Sequence, residues 1–270
     1  MISGTTRLVG LLADPVAHSL SPRMQNAAFA EAGLDWAYVP LRVDAARLDD
    51  ALAGLVALSF VGANVTIPHK EAVAARVDEL TAVARAAGSV NTIVVRDDGT
   101  LLGDSTDGAA ITGALDAAGV APGPALVVGA GGAARAAVAA LRAWGGDVTV
   151  VSRRPEAAEA LAAALDVRAA AQVPEALPPV VVNATPLGGA SEPDAAPVPL
   201  YALSAAVSVV DLAYRPDARQ TPLVAAATGL GSVAVDGLEV LARQGALAFT
   251  RWSGREAPLE VMRAALLPIG

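Results

Sequence analysis

The chain has 270 residues, of which 54% are apolar, 17% charged and only 3% aromatic, with a net charge of −8. That length predicts one large or two medium domains, with a core built mostly from Ala, Val and Leu. The acidic balance argues against nucleic acid or an anionic membrane as partner; the absence of cysteine excludes disulfides, thiolate catalysis and zinc–sulfur sites, and two histidines are too few for a histidine-built metal centre, so no metal is expected.

Residues 1–7 lack the charged-then-apolar pattern of a leader, and no apolar run reaches membrane-spanning length, so a cytoplasmic setting is expected. Residues 8–12 read as a short strand ended by Ala13-Asp14-Pro15. A helix follows Ser21-Pro22, with Ser21 as N-cap and Pro22 in the first helical position. Residues 37–41 and 60–65 read as strands, with an Ala/Leu helix over 45–56 between them. Pro68 starts a helix that runs through Ala75. Residues 92–95 and 101–102 pair across Asp97-Asp98-Gly99, a hairpin-turn signal. Strand and helix alternate, which predicts a mostly parallel α/β sheet.

A second unit begins near Thr106. Helix 109–118, strand 125–128, helix 133–144, strand 148–151 and helix 155–165 form a βαβ arrangement. The runs 180–182 and 207–210 read as buried parallel strands, with a Pro/Ala-rich loop over 193–199 between them. Helices over 238–252 and from Pro258 to Leu267 close the chain.

Of 19 basic residues, 18 are arginine, and the single lysine is Lys70, in Asn64-Val65-Thr66-Ile67-Pro68-His69-Lys70. Arginine stays protonated at any working pH, whereas an amine can be tuned to give and take a proton. Lys70 is therefore a candidate acid–base residue; the plain alternative is chance survival of one lysine in an arginine-rich chain.

Gly129-Ala130-Gly131-Gly132-Ala133-Ala134 fits the G-x-G-x-x-(G/A) fingerprint, and it follows a strand and opens a helix. Glycines there let the backbone turn tightly and approach a pyrophosphate on the helix N-terminus. The alternative is a small-residue turn in an alanine-rich chain. An NAD site places Asp or Glu at the end of the next strand. This chain has Ser152-Arg153-Arg154 instead, which suits a 2′-phosphate and predicts NADP over NAD, unless both arginines only solvate a helix start.

Seven ordered segments together resemble the shikimate dehydrogenase family over nearly the whole chain. They are Pro15-Val16-Ala17-His18-Ser19-Leu20-Ser21-Pro22, the Asn64–Lys70 segment, Gly88-Ser89-Val90-Asn91-Thr92, Thr106-Asp107-Gly108, Asn183-Ala184-Thr185-Pro186-Leu187-Gly188, Asp211-Leu212-Ala213-Tyr214, and the closing helix with Gly237 and Gln244. The resemblance implies two α/β domains with a cleft that closes on ligand. Residues 1–104 plus 238–270 would hold substrate on a mostly parallel mixed sheet, and residues 105–237 would be a Rossmann-type NADP domain.

It further implies that Ser19 and Ser21 bind the substrate carboxylate, Ser21 capping its helix, binding, or both. Thr66, Asn91, Tyr214 and Gln244 would bind ring hydroxyls and carboxylate, and Lys70 with Asp107 would form the catalytic pair; a surface ion pair is the alternative. Gly129, Ala130, Gly131, Gly132, Ala133, Ser152, Arg153, Arg154, Asn183, Thr185, Leu212, Gly237 and Val240 would bind NADP. His18 is expected to hold its loop, and His69 to point away from Lys70.

Against the family's usual pattern, Ala13 replaces a glycine, Ser105 and Ser152 replace asparagines, and Val240 replaces a methionine. The implied activity is NADPH-dependent reduction of 3-dehydroshikimate to shikimate by a monomer or homodimer. A quinate or aminoshikimate dehydrogenase, or a non-catalytic metabolite sensor, remains open as an alternative.

Overall fold

The structure, a computed structural model, describes residues 2–268. The chain divides into two compact units, Met1–Thr106 with Ala242–Gly270, and Asp107–Leu241.

The first unit carries β1 (Arg7–Ala13), α1 (Ser21–Glu31), β2 (Trp36–Arg42), α2 (Leu48–Ala57), β3 (Gly62–Val65), α3 (Lys70–Ala74), β4 (Glu79–Leu80), α4 (Ala82–Ala87), β5 (Thr92–Val95) and β6 (Leu101–Asp104). Its sheet has the order β2-β1-β3-β5-β6-β4. β1 runs parallel to β2 and β3, while β5 runs antiparallel to β3 and β6. β1 is apolar throughout its last five residues and buried on both faces, as a central parallel strand requires. α2 buries Leu48, Leu52 and Leu55, spaced to lie on one helical face.

Two expectations about this unit change. The first helix is present, but Ser21 is its first helical residue, and Leu20 occupies the cap position without a side-chain cap. Pro22 offers no N–H to a cap, and the Ser21 N–H goes back to Ser19 Oγ at 3.2 Å. The helix expected from Pro68 begins at Lys70 and lasts five residues.

Gly62 makes a close approach possible. Trp252 Nε1 donates to Ile93 O at 2.9 Å, and a Cβ on Gly62 would lie 2.1 Å from that oxygen and 2.6 Å from Nε1. Gly62→Ala should therefore destabilise the protein by about 1–3 kcal/mol, read as a lower midpoint in urea unfolding.

The second unit runs through α5 (Asp107–Ala117), β7 (Ala125–Val128), α6 (Gly132–Ala143), β8 (Val148–Val151), α7 (Pro155–Leu165), β9 (Arg168–Ala169), β10 (Val180–Asn183), β11 (Ser208–Asp211), α8 (Pro222–Gly229) and β12 (Ala234–Val235). Its sheet has the order β12-β11-β10-β7-β8-β9, with every pairing parallel. The core on one face is built from Val127, Val150, Val180, Val182 and Val210 with alanines of α5 and α6. The described residues buried in this core are alanine, valine, leucine and isoleucine, with no aromatic among them.

α9 (Gly237–Ser253) starts in the second unit and continues into the first, and α10 (Leu259–Leu266) packs there on α1. Among the described residues, no helix is long and apolar enough to cross a membrane, and no cluster of His, Asp or Glu could hold a metal.

Candidate active site

In the first sheet the chain passes from β1 outward to β2 and then returns to the other side of β1 as β3. Such a reversal opens a crevice at the carboxyl ends of the two strands, where ligands of open α/β sheets bind. The segment bearing Ser19 and Ser21 leaves β1 at that end, and Thr66 and Lys70 follow β3. Because β5 is antiparallel, Asn91 enters at the same end, and Thr106 leaves β6 there, with Asp107 next in the chain as the first residue of α5.

Backbone bonds tie these segments together. Thr66 N donates to Leu12 O at 3.0 Å, Asp14 N to Ile67 O at 3.1 Å, and Val90 N to Lys70 O at 3.0 Å. Asn91 is buried, and its amide orientation is fixed: Oδ1 accepts from Thr106 N at 2.9 Å, so Nδ2 faces Thr106 Oγ1 at 2.9 Å and Gln244 Oε1 at 3.4 Å. Gln244 comes from α9. Thus Asn91, Thr106 and Gln244 sit together although 153 residues separate the first from the last. The Ser21 hydroxyl, not used for capping, holds no hydrogen bond among the described residues. His69 is buried on Val43 O at 2.8 Å, whereas His18, expected to hold its loop, is exposed.

Nothing in the sequence marks Asp104. It is 2% exposed, and its carboxylate accepts from Thr81 Oγ1 at 2.6 Å, Ser105 N at 2.9 Å and Arg251 Nε at 2.6 Å. It pins the end of β6 just before Thr106 to α9 seven residues beyond Gln244. Tyr38, also unsignalled, donates to Asn64 Oδ1 at 2.8 Å, and Asn64 Nδ2 donates to Asn91 O at 3.0 Å.

The second sheet reverses between β7 and β10, so its crevice lies between the glycine turn after β7 and the loop after β10. Gly129 has φ +125°, and a Cβ there would lie 2.9 Å from Ala184 O, so only glycine fits. Gly131 is different. Its φ of −92° suits any residue, and a Cβ would meet no heavy atom within 4 Å. The chain's own packing does not require glycine at 131; the open space above the start of α6 suits close approach by a phosphate. Ala130, Gly132 and Ala133 line the same turn.

After β8, Ser152 Oγ accepts from Arg154 N at 3.2 Å. Arg153 and Arg154 are exposed, and neither guanidinium holds an ion pair or hydrogen bond among the described residues. By contrast Arg142 and Arg168 of the same unit each hold an aspartate at 2.7 Å. Two guanidiniums beside a glycine turn fit the 2′-phosphate of a dinucleotide. Thr185 turns its hydroxyl onto Asn183 Oδ1, and Leu212 packs on the core. Val240 is 4% exposed in that core, and a Cβ on Gly237 would lie 2.3 Å from Ala213 O, so both positions have packing reasons of their own.

Asp211, fully buried at the end of β11, has its carboxyl pushed up to about 6, chiefly by loss of water, against three hydrogen bonds that favour ionisation; Asp236 adds a smaller push upward. The folded state therefore holds this proton to higher pH than the unfolded chain. Its contribution to stability is greatest below about pH 4 and is lost as pH rises through 6, by about 3 kcal/mol. In urea unfolding from pH 4 to 7, Asp211→Asn should remove that fall relative to wild type.

Residues 11–93 match the family described as the shikimate dehydrogenase substrate binding domain, and residues 237–267 match the shikimate 5′-dehydrogenase C-terminal domain. The shikimate dehydrogenase (NADP(+)) of Anaeromyxobacter sp. strain Fw109-5 is 44% identical over 284 residues, covering 100% of this chain and 99% of that one. The chain belongs to the shikimate dehydrogenase family. The shikimate dehydrogenase (NADP(+)) of Rubrobacter xylanophilus is also 44% identical, covering 98% and 97% of the two chains. Shikimate 5-dehydrogenase of Thermus thermophilus, solved with NADP(H) and shikimate, superposes with a TM-score of 0.87 at 38% identity, covering 96% of this chain and 98% of that chain.

For this member of the family, two departures have a structural consequence. Ser105 Oγ is buried without a partner, so the shorter side chain makes no hydrogen bond in place of the usual asparagine. Ala13 is fully buried in the last pair of the β1–β2 ladder, where its methyl is accommodated.

Proposed function

We propose that this protein catalyses the reversible NADP-linked reduction of 3-dehydroshikimate to shikimate, a cytoplasmic step of aromatic amino-acid biosynthesis. The observation that carries this reading is the full-length likeness to an enzyme solved with both NADP(H) and shikimate. The two crevices divide the work: the first unit holds the substrate, and the second holds NADP at the glycine turn.

Ser19 and Ser21 take the substrate carboxylate. Asn91 keeps its Oδ1 on Thr106 N and turns one Nδ2 hydrogen to a ring oxygen by giving up the long 3.4 Å bond to Gln244 Oε1, which frees Gln244 for the ligand as well. Thr66, Tyr214 and Gln244 take the remaining hydroxyls and carboxylate oxygens. When bound, NADP supplies the hydride chemistry. Lys70, as an ammonium, stabilises the negative charge that develops on the carbonyl oxygen and delivers a proton to it; in the oxidation, neutral Lys70 accepts that proton. Asp107 is the carboxylate that positions the amine for that transfer. Arg153, Arg154 and Ser152 hold the 2′-phosphate, and the absence of an acid at these positions disfavours an NAD-linked quinate enzyme.

Complementation tests the reading in a cell. A strain lacking its own shikimate dehydrogenase should grow without aromatic amino acids when it carries the wild-type gene, and fail with Lys70→Met. Failure of the folded wild-type protein to restore growth would count against the assignment.

A further inference from the structure

We infer that Asp211 is a positioning residue for the cofactor loop: its carboxylate holds Asn183, and Asn183 folds the turn over residues 183–187 beside Gly129. The inference rests on the reading that NADP binds at the crevice between β7 and β10, and it changes the role of Asn183 from ligand contact to scaffold.

Asn183 is fully buried. Its Oδ1 accepts from Thr185 N at 3.0 Å and Thr185 Oγ1 at 2.6 Å, and its Nδ2 donates to Leu187 O at 3.0 Å and Asp211 Oδ1 at 2.8 Å. A primary amide has two donor hydrogens and two acceptor lone pairs, so no capacity is left for a ligand. A backbone N–H can only donate; Thr185 N therefore fixes Oδ1 toward itself, and Nδ2 is left facing a position that must be an acceptor. Asp211 is that acceptor.

The same carboxylate accepts from Ala213 N at 2.9 Å and Thr221 Oγ1 at 2.6 Å, and Thr221 Oγ1 in turn caps α8 by accepting from Val224 N at 3.3 Å. One buried group thus joins the exits of β10 and β11 to the start of α8. The consequence reaches the glycine turn through Ala184. Ala184 N bonds Val128 O at 2.8 Å, and its carbonyl lies 2.9 Å from where a Gly129 Cβ would stand. A shift of residues 183–187 moves the wall of the crevice that faces the turn.

The test uses the full chain, with Kd for NADP and for shikimate measured by calorimetry and initial rates fitted for both ligands. Asp211→Ala should weaken NADP binding about tenfold, the effect of a released turn that holds its binding-competent form about a tenth of the time, with the shikimate Kd unchanged and kcat at saturating NADP largely kept. Asp211→Asn retains a carbonyl oxygen toward Asn183 and Ala213, and should restore most of the NADP affinity. Should Asp211→Ala not fold, Thr221→Val, which removes one hydrogen bond to the same carboxylate, should give a smaller loss confined to NADP. Unchanged NADP affinity in the folded variant, or an equal loss for both ligands, would overturn the inference. A wild-type protein that itself does not bind NADP would overturn the functional reading and this inference with it.

Discussion

Replacing Lys70 with methionine should lower kcat by about 10²–10⁴-fold, the usual contribution of a positioned proton donor, while the protein still binds shikimate. Methionine keeps the unbranched stem, so the change isolates the loss of the amine. Lys70 begins α3, and its carbonyl accepts from Val90 N, a backbone bond that survives the substitution. The expected signature is a fall in kcat and kcat/KM together, which marks an interaction made in the transition state. Near-native turnover in this variant would remove Lys70 from the chemistry.

Removing the Arg153 guanidinium should raise the NADP Kd by about one to two powers of ten, since a hydrogen bond to a charged group contributes about 1.5–3 kcal/mol. Arg153 is exposed and has no acidic partner among the described residues, so Arg153→Ala breaks no ion pair in the unliganded protein. The fall in affinity should therefore come without a change in thermal stability. NAD, which lacks the 2′-phosphate, should bind the variant as it binds wild type. Equal NADP affinity in wild type and variant, measured by calorimetry, would take Arg153 out of the site.

The parallel core strand 125–128 is readable because a strand buried on both faces must be continuously apolar, and 148–151, interrupted only by the half-buried Thr149, is rich in β-branched residues; both stand in the structure with the same limits as in the sequence reading. β4 and β9, two residues each, carry no such run. α8 escapes the reading although Thr221-Pro222 is a start signal, because its apolar residues show little one-sided spacing. Ser21 is misplaced as a cap because residue type names a capping residue but not which of two nearby serines receives the N–H.

The candidate chemistry was legible where it resides in short, ordered segments: Lys70 by its uniqueness, and the glycine turn and Ser152-Arg153-Arg154 by their place between strands and helices. The supports behind it were not. Asp104 and Arg251 lie 147 residues apart, and Asp211 and Asn183 lie 28 apart. Their meaning comes from burial, which converts an ordinary aspartate into a group that must be satisfied and that therefore organises its neighbours.

The central claim is tested most directly by following the nicotinamide absorbance band with purified protein and each of shikimate and quinate, paired with each of NADP and NAD. Reduction of NADP by shikimate, with quinate and NAD far slower, is the predicted result. Comparable rates with quinate and NAD, or ligand binding without any cofactor reduction, would contradict it.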